Sequence, residues 1–288
     1  MNKTTIEWVK NPDGKQGYTL NQITGCHNHK NGLCNGGGFP CYAYKLAYGR
    51  TKKFYLSNRN LAPFQFEDGN LSLVRMDAEA IRHNPFYPRL WEDRTIKADM
   101  FLKSAKKPLG IFLCDMSDWV GIGIPYDWSN LVYCFMIMHP RHRFYLLTKQ
   151  PQNLIKFSPF PDNCYVGVTV CNNGMMTIAM QYLSMIQARV KFISFEPLLG
   201  EIGMNDHMSM KGIVHWVIIG SQTKPYNPPR YEWVREIVTA CDKASIPVFL
   251  KNNLIPLLCG DDKPFKSDRR DLCWLDVNMV WNLREEMP

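Results

Sequence analysis

The stretch YVGVTVCNNGMMTIAMQYLSMIQARVKFISFEPLLG, Tyr165–Gly200, contains a whole architecture in miniature. It opens on a run of Val and Tyr that is apolar on both faces. It continues through a segment where Met176, Ile178, Ala179, Leu183 and Ile186 recur at helical spacing, and it closes on a second apolar run, Lys191–Phe195. β-Branched and aromatic runs bounded by Asn, Pro or charge read as strands, and the periodic segment between them reads as a crossover helix. Strands with no polar face belong in a parallel sheet covered by helices.

The alternation extends in both directions. Gly110–Cys114, Arg143–Leu147, Trp216–Ile219 and Pro247–Leu250 have strand character, and Trp128–Met138 is helical. Tyr231–Ala244 carries Trp233, Val234, Ile237, Val238, Cys241 and Ala244 on one helical stripe. With an N-terminal strand near Tyr18–Thr24, about seven βα units result, so the expected fold is α/β, a complete or partial (β/α) barrel. An open doubly wound sheet is the other arrangement. The rhythm breaks over 51–107, where FQFEDGNLSLVRM and NPFYPRLWEDR predict an irregular insertion or lid, and again over 252–288, an irregular C-terminal extension. One domain, 1–288, is expected to contain all of this.

Composition narrows the class. Of the 288 residues, 45% are hydrophobic and 21% charged, which excludes intrinsic disorder. No apolar run reaches the roughly eighteen residues of a membrane span, and MNKTTIEWVKNPDG lacks the apolar core of a secretory signal. A soluble, cytoplasmic protein with no membrane partner is therefore expected. The net charge of +8 suits a polyanionic partner and suits mere solubility equally well. Ten cysteines in a reducing compartment do not read as a disulfide framework. Cys114, Cys134, Cys164, Cys171 and Cys241 lie in or beside apolar runs and are expected to be small buried hydrophobes. Cys259 and Cys273 have no partner motif.

Cys26, Cys34 and Cys41 differ, because they share one loop, CHNHKNGLCNGGGFPC, with His27 and His29. Thiolates grouped so tightly in a reducing compartment point to a metal. Zinc takes four ligands, for which Cys26, Cys34, Cys41 and one of the histidines suffice. A [4Fe–4S] cluster on three thiolates keeps one iron open. Spacing alone leaves the two side by side. The predicted strands also end in polar groups: Cys114-Asp115-Met116-Ser117-Asp118, Leu147-Thr148-Lys149, Gly167-Val168-Thr169, Ser194-Phe195-Glu196-Pro197, Gly220-Ser221-Gln222 and Leu250-Lys251-Asn252-Asn253. Asp and Ser at such ends often only cap the next helix. Six together read as the lining of one cavity, because βα loops converge at a barrel mouth.

Thr24-Gly25-Cys26 and Cys41-Tyr42-Ala43, with Ile6-Glu7-Trp8 before them, resemble the radical S-adenosylmethionine (SAM) superfamily, and more closely its phage-type three-cysteine family. IFLCDMSDW (111–119), FYLLTKQPQNL (144–154), YVGVTV (165–170), FISFEPLLGEI (192–202), WVIIGSQ (216–222) and PVFLKNN (247–253) continue the resemblance in order. Two features depart from the pattern. The superfamily's cysteine gaps are three and two residues, the first of them widened in the close family, and here they are seven and six. The family's Gly-Gly-Glu is Gly220-Ser221-Gln222, an amide in place of an acid. Gly36, Gly37 and Gly38 can bend the longer loop back, since glycine accepts positive φ without penalty.

The resemblance implies a [4Fe–4S] cluster on Cys26, Cys34 and Cys41, with the open iron chelating SAM. One electron from a reductant of flavodoxin or ferredoxin type would then release a 5′-deoxyadenosyl radical. It implies Tyr42 against the cluster, Asp115, Ser117 or Asp118 for the SAM ammonium, and Lys149, on the Thr148-Lys149 strand end, for its carboxylate. Thr169 or Glu196 would take the ribose, with Lys251 and Gln222 as substrate contacts. The family is itself distantly similar to spore photoproduct lyase. Together with Lys103/Lys106/Lys107, Arg50/Lys52/Lys53 and Arg141/His142/Arg143 near Phe54, Tyr55 and Trp91, this makes DNA or RNA the leading substrate. A peptide or small metabolite, a zinc-stabilised nucleic-acid-binding protein and an inactive barrel that keeps its cluster are the alternatives.

Overall fold

The computed structural model describes residues 1–63, 78–203, 210–259, 271–275 and 281–288. The chain divides into two units, one made of Met1–Thr5 with Val9–Phe157 and one of Ile6–Trp8 with Ser158–Pro288. The FQFEDGNLSLVRM stretch lies outside the described residues, as does much of the C-terminal extension.

In the first unit β1 (Asn2–Lys3) runs antiparallel to β2 (Tyr18–Leu20). The expected N-terminal strand breaks after Leu20 and resumes as β3 (Ile23–Thr24). The cysteine loop holds β4 (His29–Lys30) and β5 (Leu33–Cys34), and is followed by α1 (Tyr42–Tyr48), α2 (Lys52–Ser57) and α3 (Ala78–His83). β6 (Arg89–Leu90) pairs antiparallel with β3 and leads into α4 (Glu92–Ser104). Then come β7 (Gly110–Leu113), α5 (Tyr126–Met138) and β8 (Arg143–Thr148). β2, β7 and β8 are parallel neighbours, with Tyr18 opposite Ile111 and Gly110 opposite Arg143.

The expected irregular insertion is therefore regular in part. α4 is the crossover helix between β2 and β7. It escapes apolar patterning because most of its surface is polar, with Asp93–Lys97 and Asp99–Lys103 pairs one turn apart. Arg89 ties the surrounding segment together from a fully buried position. Its guanidinium donates to the carbonyls of Asn84 and Tyr87, both at 2.8 Å, and of Asn58 at 3.2 Å.

The second unit holds β9 (Cys164–Thr169), α6 (Asn173–Met185), β10 (Val190–Phe195) and β11 (Trp216–Ile219). A small hairpin follows, β12 (Gln222–Thr223) with β13 (Tyr226–Asn227), then α7 (Tyr231–Ala244), β14 (Val248–Leu250) and α8 (Ile255–Leu258). β15 (Cys273–Leu275) and β16 (Trp281–Leu283) close the chain as an antiparallel pair. The order β9-β10-β11-β14 is parallel throughout, and every residue of these strands is buried. The continuous apolar runs have the cause expected of them, burial on both faces. At the centre, Trp8 packs on Phe192 and Trp216 with ring centroids 5.8 and 6.1 Å away.

Four of the five cysteines assigned to the core are buried, but Cys134 is exposed. It lies on α5, whose inward positions are Ser129, Val132, Phe135 and Met136. Among the described residues no helix is long and apolar enough to cross a membrane.

Candidate functional site

The cysteine loop is shaped by its backbone. Between β4 and β5, Asn31 (φ 49°) and Gly32 (φ 81°) form a two-residue turn with both central residues left-handed, the conformation for which Asn-Gly is selected. Register puts His29 opposite Cys34. The chain reverses again at Gly37 and Gly38, both with positive φ, so that Leu33 bridges Pro40 and the Cys41 N–H reaches the Gly32 carbonyl at 2.8 Å. The long gaps are thus absorbed by two reversals, and Cys41 becomes the N-cap of α1. At the other end Cys26 donates its N–H to Phe86 O at 3.1 Å, and Gly25 to Met116 O at 3.0 Å.

Cys26 and Cys41 pack against an apolar cluster of Ala43, Ala47, Tyr55, Phe86, Trp91 and Met116. Burial pushes the Cys26 thiol up to about 12, with Asp118 adding to the effect and then Cys34 and Cys41. Cys34 is also raised, chiefly by burial, while Lys149 opposes the shift. His27 packs edge-on to Tyr87 at 4.8 Å, and His29 lies between Tyr44 at 5.0 Å and Phe86 at 5.2 Å, its Nδ1 accepting the Gly32 N–H at 3.4 Å. Among the described residues no three His, Cys, Asp or Glu side chains converge as ligands of a single metal ion.

The first unit gathers six further expected site residues around this loop. β7 ends at Cys114, whose left-handed φ of 58° turns the chain into Asp115–Asp118. Asp115 accepts from Asn21 Nδ2 at 2.6 Å, and its carbonyl accepts the Tyr42 hydroxyl. Burial raises the Asp115 carboxyl above the usual carboxylate range. Ser117 Oγ donates to the Gly25 carbonyl at 2.6 Å, tying the strand end to the start of the loop. Asp118 is buried and accepts from Thr148 Oγ1 at 2.7 Å and the Lys149 N–H at 2.9 Å. Lys149 extends over the loop, against Gly36 and 5.6 Å from the centre of the Phe39 ring.

The second unit holds the other four. Lys251 forms an ion pair with Glu196, both side chains being less than one-quarter or about one-quarter exposed, at 14% and 25%. Gly220 makes room for the pair, since a Cβ there would lie 3.1 Å from Lys251 Cδ and 3.3 Å from Glu196 Cγ. Thr169 is buried, and its hydroxyl has no hydrogen-bond partner among the described residues. Gln222 instead turns into its own hairpin, donating to the Pro225 carbonyl at 3.0 Å.

Sequence reasoning passed over Asn21, which holds both the Asp115 carboxylate and the Met116 N–H, and saw Asn253 only as part of a polar strand end, not as the amide that holds Ser221 through both N–H and C=O. Both are single amides whose partners are distant in sequence, and neither has a local pattern. The Asn31-Gly32 turn did carry one, the hairpin dipeptide itself.

A family model described as a protein of unknown function, DUF5131, matches residues 3–253. The chain belongs to the DUF5131 family. That match takes in every residue of the site just described and ends at Asn253. No curated protein sequence matches. Among solved structures, a cysteine-to-serine mutant of spore photoproduct lyase aligns with this DUF5131 chain at a TM-score of 0.48 and 10% identity, covering 86% of this chain and 80% of that one. A mutant of the same lyase with bound AdoMet and dinucleoside spore photoproduct aligns at 0.42 and 12%, over 85% and 66%.

Proposed function

We propose that this protein is a radical SAM enzyme of the phage-type three-cysteine kind, built on parallel βα units. In this reading Cys26, Cys34 and Cys41 hold a [4Fe–4S] cluster and the substrate is a nucleic acid. The observation that carries the proposal is the loop itself. Two backbone reversals fold Cys26, Cys34 and Cys41 into one compact loop, with both neighbouring imidazoles packed on aromatic rings. When bound, the cluster supplies the electron that cleaves SAM to methionine and a 5′-deoxyadenosyl radical.

The protein's own residues bind and shield. The apolar cluster behind Cys26 and Cys41 keeps water from that side of the loop. Asp115, Ser117 or Asp118 is our choice for the SAM ammonium, each positioned by a local bond, to Asn21, to Gly25, and to Thr148 with the Lys149 N–H. Lys149, lying over the loop, is our choice for the carboxylate. In the second unit the assignments follow the sequence pattern: Thr169 or Glu196 for the ribose, Lys251 and Gln222 for the substrate. A flavodoxin or ferredoxin type of protein would deliver the electron.

Anaerobic reconstitution with iron and sulfide, followed by chromatography of a dithionite-reduced reaction with SAM, tests the proposal. About four irons per chain and accumulating 5′-deoxyadenosine are expected. Colourless protein carrying one zinc overturns it.

A further inference from the structure

Positive charge is concentrated in one part of the chain. Residues 14–63 contain seven Lys and Arg and no Asp or Glu, against a net charge of +8 for all 288 residues. Much of that run is α1, α2 and the turn joining them. There Lys45, Arg50, Lys52 and Lys53 are exposed. Among the described residues none of the four makes an ion pair. On α4, by contrast, Lys97 and Lys103 are joined to Asp93 and Asp99 at 3.0 and 2.8 Å.

Two aromatic rings stand on the same strip, Tyr48 at 42% exposure and Phe54 at 54%. Each is braced from beneath. Tyr48 stacks on Tyr44 with centroids 4.4 Å apart, and its hydroxyl donates to Asn84 Oδ1 at 3.2 Å. Phe54 stacks on Trp91 at 4.8 Å and 18°, with the Arg94 guanidinium 3.8 Å from the Trp91 centroid. Rings already fixed in this way lose little freedom when another flat group settles on them. Unpaired cations interleaved with stacked rings are the general means of holding a single strand, because phosphates meet the charges and every base has a π-face. A duplex keeps its base faces inside.

We propose that the α1–α2 surface is a docking platform for single-stranded nucleic acid, with phosphates on Lys45, Arg50, Lys52 and Lys53 and bases on Tyr48 and Phe54. The inference deepens the substrate part of the proposed function and rests on it only there, since binding itself requires no cluster.

Fluorescence anisotropy of a labelled 20-mer oligothymidylate with the full-length protein tests it, alongside iron content after reconstitution and a urea midpoint for each variant. R50A/K52A/K53A is expected to weaken binding at least tenfold and to flatten the plot of log K against log salt by about two, at roughly 0.7 per lost contact. Phe54→Leu is expected to weaken it about fivefold or more with the salt slope unchanged. K156A/K224A/K243A removes the same charge from exposed positions elsewhere and should stay within about twofold of the parent. An equal loss in that control, no binding by the parent, or tight binding to phosphatidylserine vesicles that the oligonucleotide does not displace overturns the platform. Unchanged binding in the first two variants with normal iron loading defeats the platform alone. A parent that binds the strand through these residues but takes up no iron defeats the cofactor reading alone.

Discussion

Cys34 and Cys134 allow a sharp comparison, since one sits in the loop and the other on the open face of α5. Cys34→Ala is expected to abolish iron loading, and Cys134→Ala to leave it at the parental level. Equal iron in the two variants, measured by ferrozine assay, would remove Cys34 from the ligand set. The Glu196–Lys251 pair offers a second test at this scale. Removing one partner leaves the other partly buried without its counter-charge, which costs more than the pair itself contributes. Glu196→Ala is expected to lower stability by about 2 kcal/mol in urea unfolding, and the E196A/K251A double variant to recover part of that. A double variant as unstable as the two singles added together would mean that the side chains act independently.

Among the elements, the β4–β5 hairpin shapes the loop, and its turn is sensitive to one methyl group. At Gly32 a Cβ would face a positive φ and come within 2.7 Å of the Tyr44 ring. Gly32→Ala should therefore loosen the loop by about 1–2 kcal/mol and lower iron occupancy, while Gly200→Ala, with open space around its Cβ, should do neither. Full occupancy in the Gly32 variant would show that the turn is dispensable. Two histidines at strand starts make a further prediction. His142 Nδ1 accepts the Leu109 N–H at 3.1 Å, and His215 Nδ1 accepts the Lys191 N–H at 3.1 Å. Burial, the main cause in both, holds their pKa below the ordinary value. The unfolded chain takes up protons first as pH falls, so their stabilisation is complete above about 6.5 and is lost below it. Stability should drop by roughly 1 kcal/mol for the pair between pH 7.5 and 5.5. An H142Q/H215Q variant should show a shallower fall; one just as steep would place the titration elsewhere.

For the whole molecule, what sequence could supply depended on how local the cause was. β9, β10, β11 and β14 were legible because strands buried on both faces leave unbroken apolar runs, and α7 because its stripe is clean. α4 was hidden since its polar surface obscures any period, and Cys134 was misjudged because an apolar run does not reveal which side of a helix faces inward. At the site the three cysteines and the Asp118–Thr148–Lys149 ends were in view, whereas the grip of Asn21, Arg89 and Asn253 comes from tertiary contacts that no short window contains. The second unit also draws Ile6–Trp8 from the far end of the chain. Trp8 is synthesised more than two hundred residues before Trp216, the ring it packs against. At about 5–20 residues per second the indole waits on the order of 10–40 s before its niche exists. Trimming the first eight residues would therefore damage the half of the protein synthesised last.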